Sequence, residues 1–584
     1  MSSRLRIFAP ATVAAVLALG TVPAIGADSD RSGSALGSIN HIVVIYQENH
    51  SFDNLYGGWE RVNGLSRADA AHTQQIKQSG ATFSCLLQDD VNLAAVQPST
   101  RCQDTKGTSA SPNSPFTSYF FNAPFAIDDY ISPTDKTCPA PGVFAPNGVP
   151  RGTGQPGGCT RDLVHRFYQE QYQLNNGQQN RYTQGSDAVG LTQGYYTTTS
   201  LPIYQYLHQQ DHPHYAIADK FFQAAFGGSF LNHQWLIAAA TPSWPQAPAS
   251  QHSVIDSNGM PTSYPLYTAT PPTSDQRLTR ICPAAGTIDP NPGKACGDYA
   301  VNTIQPAYQP FKGTPQLPPQ TVTTDPTGKI TGKTIGDELS AAGVSWAWYS
   351  GGWSNADGRV GDPGWTNGNG TTCIDPGADP VDKYPFCADK LFQYHHQPFN
   401  YFSNYGRLPN PTTGSVADGP EKPARIQHLR DEAEFLQLLQ PPASTCNLKS
   451  VSFVKPIGED NEHPGYTGES QGSRHLLDLI KAIENSACRK DTMIVTTYDE
   501  FGGSWDHVSP PGQGSTDGVF DQWGPGTRIP ALVISPFLND DFVVDHVPHD
   551  TTSILATIEH RFGLPPLGTR DAAVRDLSSV YHAQ

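Results

Sequence analysis

The sequence predicts an α/β fold, a three-layer sandwich whose central sheet is mostly parallel and carries loop-rich insertions. Three observations point there. Four short runs are apolar and rich in β-branched residues: 40–46 (NHIVVIY), 451–454 (VSFV), 491–498 (DTMIVTTY) and 529–534 (IPALVI). Such runs suit strands buried on both faces, as in a parallel sheet covered by helices. Helical patterns lie beside them, at 334–342, 471–486 and 551–562. Finally, strand and helix patterns alternate, which is the signature of an α/β sheet.

Taken in chain order, the first segment has its own grammar. Arg4 and Arg6 precede an apolar run from Ala9 to Leu19, closed by the small residues Ala24, Gly26 and Ala27. This is the order of a secretory signal peptide, expected to span 1–27, and the run is short for a membrane span. Residues 28–584 read as one large domain with excursions. The strand 40–46 comes first. Residues 82–155 and 242–333 are rich in Pro, Thr, Ser and Gly and read as insertions. Between them, 221–240 (FFQAAFGGSFLNHQWLIAAA) turns at Gly227-Gly228 and then opens an apolar helical run at Ser229. The helix 334–342 leads into a strand-like GVSWAWY at 343–349, and the remaining strands and helices come after it.

Composition narrows the class. Of 584 residues, 37% are hydrophobic, 54 are Gly and 51 Pro, so the chain holds a sizeable core and much loop. The ten cysteines form no CxxC pair, which weakens zinc-ribbon and thioredoxin readings. An even number in an exported chain favours disulfides, and pairing of neighbours in sequence closes modest loops. The expected location is secreted or periplasmic. A formal net charge of −17 repels phosphate backbones, so no nucleic-acid partner is expected. No further run is long and apolar enough for integral membrane association, and the oligomeric state is left open.

Ligands of open α/β sheets gather at the carboxyl ends of strands. The strand 40–46 is followed by Gln47-Glu48-Asn49-His50, and 491–498 by Asp499-Glu500-Phe501-Gly502-Gly503. Glu48, Asn49, Asp499 and Glu500 are oxygen donors that would repel unless a cation lay between them, and oxygen suits a hard or borderline divalent ion. One divalent metal is therefore expected. Either pair alone reads equally as hydrophilic strand caps. Ser229 at a helix start faces free backbone N–H groups that favour an anion, although a plain N-cap serine explains the same residue. His165, the pair His395-His396, His463 and His507 complete the set, and their spacing leaves open whether they ligate metal, bind oxygen or move a proton.

These motifs resemble a bacterial phosphoesterase family containing acid phosphatases and non-haemolytic-type phospholipases C, with a core like that of alkaline phosphatases and sulfatases. The matching stretches are 48–57 (ENHSFDNLYG), 162–170 (DLVHRFYQE), 227–234 (GGSFLNHQ), 394–399 (YHHQPF), 460–466 (DNEHPGY) and 498–511 (YDEFGGSWDHVSPP). The resemblance implies Glu48, Asn49, Asp499 and Glu500 as metal ligands, Ser229 as nucleophile, and His165, His395, His396 and His463 as active-site histidines. It implies a phosphate-ester substrate and a phosphoseryl intermediate hydrolysed by water. The phospholipase branch usually carries threonine in a Trp-Pro-Asn-Arg context. The context here is Phe230-Leu231-Asn232-His233, which favours an acid-phosphatase-like activity with acid optimum. A phospholipase C is the alternative, with Tyr195-Tyr196 and the aromatics of 346–349 as candidate choline contacts or as ordinary core. An exported binding protein on a degenerate enzyme fold is the non-catalytic alternative.

Overall fold

In the computed structural model the described residues are 35–93, 102–104, 115–248, 251–252, 255–260, 262–270, 279–280, 282–288, 295–301, 310, 317–324, 330–365, 392–416, 419–440 and 445–583. The signal-peptide expectation at 1–27 and the pairing of Cys373 with Cys387 lie outside them.

Eight strands form the central sheet: β1 (His41–Gln47), β2 (Tyr215–Ala218), β3 (Trp346–Ser350), β4 (Leu429–Asp431), β5 (Val451–Lys455), β6 (Thr492–Tyr498), β7 (Ala531–Ile534) and β8 (Phe542–Asp545). Their spatial order is β4-β3-β5-β1-β6-β7-β2-β8. All neighbours run parallel except β7, which is antiparallel to both β6 and β2. The four runs expected as strands are strands. The run 529–534 narrows to β7, and its reversed direction is not encoded in its apolar pattern. Strands β2, β4 and β8 carry only three or four residues each, too few for a period to declare itself in sequence.

Helices complete a mixed α/β fold with helical layers: α1 (Phe167–Leu174), α2 (Ser229–Ala238), α3 (Ile335–Ala341), α4 (Glu432–Leu438), α5 (Glu469–Glu484) and α6 (Thr552–Phe562). The pattern at 334–342 becomes α3, because Thr334 accepts from the Asp337 amide while the Asp337 carboxylate accepts from the Thr334 amide. The pattern at 471–486 becomes α5, entering two residues earlier behind Gly468. Helices α2 and α6 pack on one another.

The core is continuous through both faces of the sheet. Trp348 of β3 stacks on Phe453 of β5 at 5.4 Å between ring centroids, and the two are register partners. Removing a buried ring of this size costs about 3–5 kcal/mol. The same indole donates from Nε1 to the His396 carbonyl at 2.7 Å, so core packing places a candidate site residue.

Disulfides join Cys85–Cys102, Cys138–Cys159, Cys282–Cys296 and Cys446–Cys488, each pair neighbouring in sequence. Among the described residues no helix is long and apolar enough to cross a membrane.

Candidate active site

Register brings the first two segments together. In the parallel β1/β6 pair Gln47 opposes Tyr498, so Glu48 and Asp499 leave the sheet side by side at its carboxyl edge. The Asp499 amide donates to the Gln47 carbonyl at 3.1 Å, and the Glu48 amide to the Asn461 carbonyl beyond β5 at 2.9 Å. Asn49 takes a left-handed backbone with φ of 63°, a conformation that Asn tolerates better than most residues. That turn aims its amide at Asp499 Oδ1, 3.3 Å away.

The third segment brings Ser229. Gly227 has φ of 91°, and a Cβ there would lie 2.5 Å from the Phe167 nitrogen, so only glycine allows the loop to pass α1. The N-cap of α2 is Gly228, not Ser229, and no side chain caps the helix. The Ser229 hydroxyl is thus not spent on capping. It lies 3.4 Å from both Asn49 Oδ1 and Glu500 Oε1.

Hydrogen bonds to carbonyls fix the ring tautomers. His463 Nδ1 donates to the Pro464 carbonyl at 2.6 Å, leaving Nε2 to accept from Asn49 Nδ2 at 2.9 Å. This bond turns the Asn49 carboxamide so that its oxygen faces Ser229. His233, one helical turn after Ser229, donates from Nδ1 to the Ser229 carbonyl at 2.8 Å. Its buried Nε2 has no hydrogen-bond partner. His165 Nδ1 donates to the Leu163 carbonyl, so the Nε2 lone pair faces Glu500 Oε1 at 3.3 Å. Two acceptors so placed need a proton or a cation between them.

Charge is distributed unevenly over this cluster. Burial pushes the Glu48 carboxyl upward, but Lys455, His396 and His395 reverse that and hold it well below the ordinary carboxylate range. Lys455 Nζ is 2.6 Å and His396 Nε2 2.7 Å from Glu48 Oε1. His395 and His463 stand further from the same carboxylate, at 3.8 and 3.6 Å. Burial, followed by the Glu48 charge, pushes Asp499 well above its ordinary value. Burial, followed by Asp499, does the same to Glu500. Burial lowers His165 and His463 to about 4 and His396 to about 3, below the value near 6.5 of an exposed ring.

The donor set fits a divalent cation. Asp499 Oδ2 is buried and accepts no hydrogen bond. Two carboxylates that burial and neighbouring negative charge drive toward neutrality are what a cation would relieve. Glu48, His233 and His395 also place ligand atoms within 4.8 Å of one another, so Glu48 stands between an oxygen-rich and an imidazole-rich donor set. A second cluster with ligand-like spacing is Asp53, Asp506 and His507. There the Arg528 guanidinium already supplies the positive charge, at 3.1 Å from each aspartate.

Nine residues singled out in the sequence converge: Glu48, Asn49, Asp499, Glu500, Ser229, His165, His395, His396 and His463; His507 does not join them and lies in the Asp53–Asp506 cluster instead. Glu48, Asn49, Asp499, Glu500 and His396 are fully buried. Ser229, His395 and His463 are each 7% exposed, so they, with His165, form the mouth through which a substrate would enter. Two members escape sequence reasoning. His233 stands at helical i, i+4 spacing from Ser229, and Lys455 ends strand β5; those positions are the signals that could have found them.

The chain is similar to known phosphoesterases. The family model described as "Phosphoesterase family" matches residues 39–565. Phospholipase C A of Mycobacterium tuberculosis is 23% identical over 94% of this chain and 78% of that protein. Phospholipase C B of the same organism is 33% identical over 23% of this chain and 30% of that protein. Non-hemolytic phospholipase C of Pseudomonas aeruginosa is 28% identical over 28% of each. Among solved structures, phosphonate monoester hydrolase SpPMH from Silicibacter pomeroyi aligns with 45% of this chain and 64% of its own, at 14% identity and a TM-score of 0.21, too slight a likeness to assign a fold.

Proposed function

The chain belongs to the Phosphoesterase family and is a hydrolase acting on phosphate esters, and from that premise we propose that it works through Ser229 as nucleophile, in the manner of a phospholipase C that releases a phosphorylated head group. The observation that carries this is the Ser229 hydroxyl, free of capping duty and 3.4 Å from both Asn49 Oδ1 and Glu500 Oε1. The relatives named phospholipase C favour this substrate over the acid-phosphatase reading that the sequence motifs put first. The Phe-Leu-Asn-His context after Ser229 keeps phosphomonoester hydrolysis as the second reading.

Glu48, Asn49, Asp499 and Glu500 are assigned to hold one divalent ion. When bound, such an ion supplies positive charge for the phosphoryl oxygens and makes a nearby hydroxyl easier to deprotonate. The residues do the rest. Glu500 Oε1 is the acceptor placed for the Ser229 proton. Ser229 Oγ then bonds to phosphorus as the ester oxygen departs, and the phosphoserine is cleaved by water, which restores the hydroxyl. Histidines 165, 395 and 463 line the mouth beside the non-bridging oxygens; the Nε2 atoms of His165 and His463 are bare acceptors in the resting site, so a ring there must first take up a proton before it can bind those oxygens or protonate the leaving oxygen.

The mostly parallel sheet with its polar loops at the carboxyl edge supports a core of alkaline-phosphatase type, built as one domain over 28–584 with insertions near 82–155 and 242–333. Four disulfides, together with the leader-like residues 1–27, support a secreted or periplasmic location.

The test uses folded, metal-loaded Ser229→Ala with p-nitrophenyl phosphorylcholine and p-nitrophenyl phosphate. Turnover of the phosphorylcholine ester is expected to exceed that of the monoester in the wild type and to fall roughly 10³-fold or more in the variant. Near-normal release by the variant would remove Ser229 as nucleophile. A preference for the monoester would restore the acid-phosphatase reading.

A further inference from the structure

Behind the nucleophile, outside the mouth, two fully buried polar side chains meet: Glu170 of α1 and Gln223 of the segment before Gly227. Glu170 receives only donors. Its Oε2 accepts from the Gly227 amide at 2.6 Å and from Gln223 Nε2 at 3.0 Å. Its Oε1 accepts from the Thr527 amide at 2.7 Å and the Thr527 hydroxyl at 2.8 Å. Gln223 faces both ways. Its Nε2 also reaches the carbonyls of Ala225 and Gly227, at 2.8 and 3.1 Å, while its Oε1 accepts from the Phe501 amide at 2.9 Å. One carboxylate and one carboxamide thus join the loop that presents Ser229 to the loop that presents Asp499 and Glu500.

We infer that Glu170 and Gln223 are positioning residues that hold the Ser229 hydroxyl in register with Glu500 and Asn49. The inference rests on the assignment of Ser229 as nucleophile. Neither residue reaches the mouth, so neither is placed to touch substrate. Their effect passes through backbone: Gly227 lies two residues before Ser229, and Phe501 directly follows Glu500. The chemistry of the hub is strict. A glutamine at 170 turns an NH2 group toward donors whichever way it is oriented, because all four partners of the carboxylate are donors. Asn232 clamps the same loop from α2, through the Ala225 amide and the carbonyls of Ala225, Gly227 and Gly228. The loop itself therefore stays attached when Glu170 is changed, and what is lost is its alignment with the loop of Glu500.

A misplacement of this kind acts on turnover more than on binding, and a shift of about 1 Å at reacting atoms costs roughly 100-fold. Glu170→Gln is expected to lower kcat for p-nitrophenyl phosphate by roughly 100-fold, to leave KM within about twofold, and to leave the metal-to-protein ratio unchanged. In a Ser229→Ala background it is expected to lower the residual rate no further, because the aligned group is already absent. A folded Glu170→Gln enzyme with kcat within about twofold of wild type would overturn the inference, as would an equal proportional loss in both backgrounds. Wild-type turnover by Ser229→Ala alone would instead sink the nucleophile assignment, a separate outcome read from a separate variant. If Glu170→Gln does not accumulate as folded protein, Thr527→Val and Thr527→Ser take its place. Thr527→Val is expected to lose roughly fivefold in kcat and Thr527→Ser to recover it; an unchanged kcat in Thr527→Val overturns the inference.

Discussion

The same two segments, 48–57 and 498–511, build two buried acidic clusters, and the clusters are neutralised differently. Asp53 and Asp506 share Arg528, whose guanidinium bonds to both carboxylates and to the carbonyls of Asn63 and Asp219. His507 completes that network through Asp53 Oδ2 at 2.5 Å. Glu48, Asp499 and Glu500 lie a few residues away in both segments, yet of these three it is Glu48 that forms the ion pair with Lys455, at 2.6 Å. The comparison separates structure from function. Where the chain supplies its own cation, acidic residues brace the fold. Where it supplies one to Glu48 alone of the three carboxylates, and Asp499 Oδ2 accepts no hydrogen bond, the residues are those proposed above to take a cation from solution.

The sharpest way to break this contrast is Asp499→Ala. Metal content, read by elemental analysis of purified protein, is expected to fall to a small fraction of one equivalent, and phosphoesterase activity by roughly 10³-fold, while melting of the metal-free protein changes little. Full metal occupancy with wild-type turnover would place the ion elsewhere. Arg528→Met gives the reverse pattern. Two buried carboxylates lose their partner, so denaturant unfolding should show a loss of about 3–5 kcal/mol. The folded fraction is expected to keep its metal, and metal loss without destabilisation would erase the distinction between the clusters.

The smallest effect comes from a third buried carboxylate closed by the chain itself. Burial would raise Asp357, but Arg425 and Arg359 hold it at about 2. A carboxyl depressed from 3.8 contributes stability that is present above pH 3.8 and lost as pH falls through 2. That contribution is about 2 kcal/mol. Asp357→Asn is therefore expected to be less stable near neutrality yet to lose less stability than wild type between pH 4 and 2, measured by acid titration of urea midpoints. Parallel acid curves for the two proteins would contradict the assignment.

The legible part of the site consists of residues whose local pattern announces them. Glu48-Asn49 and Asp499-Glu500 directly follow apolar runs, and Ser229 follows two glycines at the start of a helix. His233 and Lys455 are hidden for opposite reasons. His233 sits inside an apolar helix, where a lone histidine reads as core, and Lys455 ends a strand whose last residue reads as surface although it is fully buried. Glu170 and Gln223 carry no local signal, because their meaning lies in partners at Thr527 and Phe501, several hundred residues away.

By itself the sequence determined the α/β class, the four apolar strands and the oxygen donors at two strand ends. Short-range physics settles these: the apolar, β-branched runs, their alternation with helical periods, and the polar residues that directly follow a strand. Only the tertiary structure decided that β1 lies between β5 and β6, that β7 runs against its neighbours, and that Ser229 faces Asn49 and Glu500 rather than capping its helix. Strand order and register depend on packing between segments far apart in sequence, and so does the choice of which buried carboxylates receive an arginine and which do not.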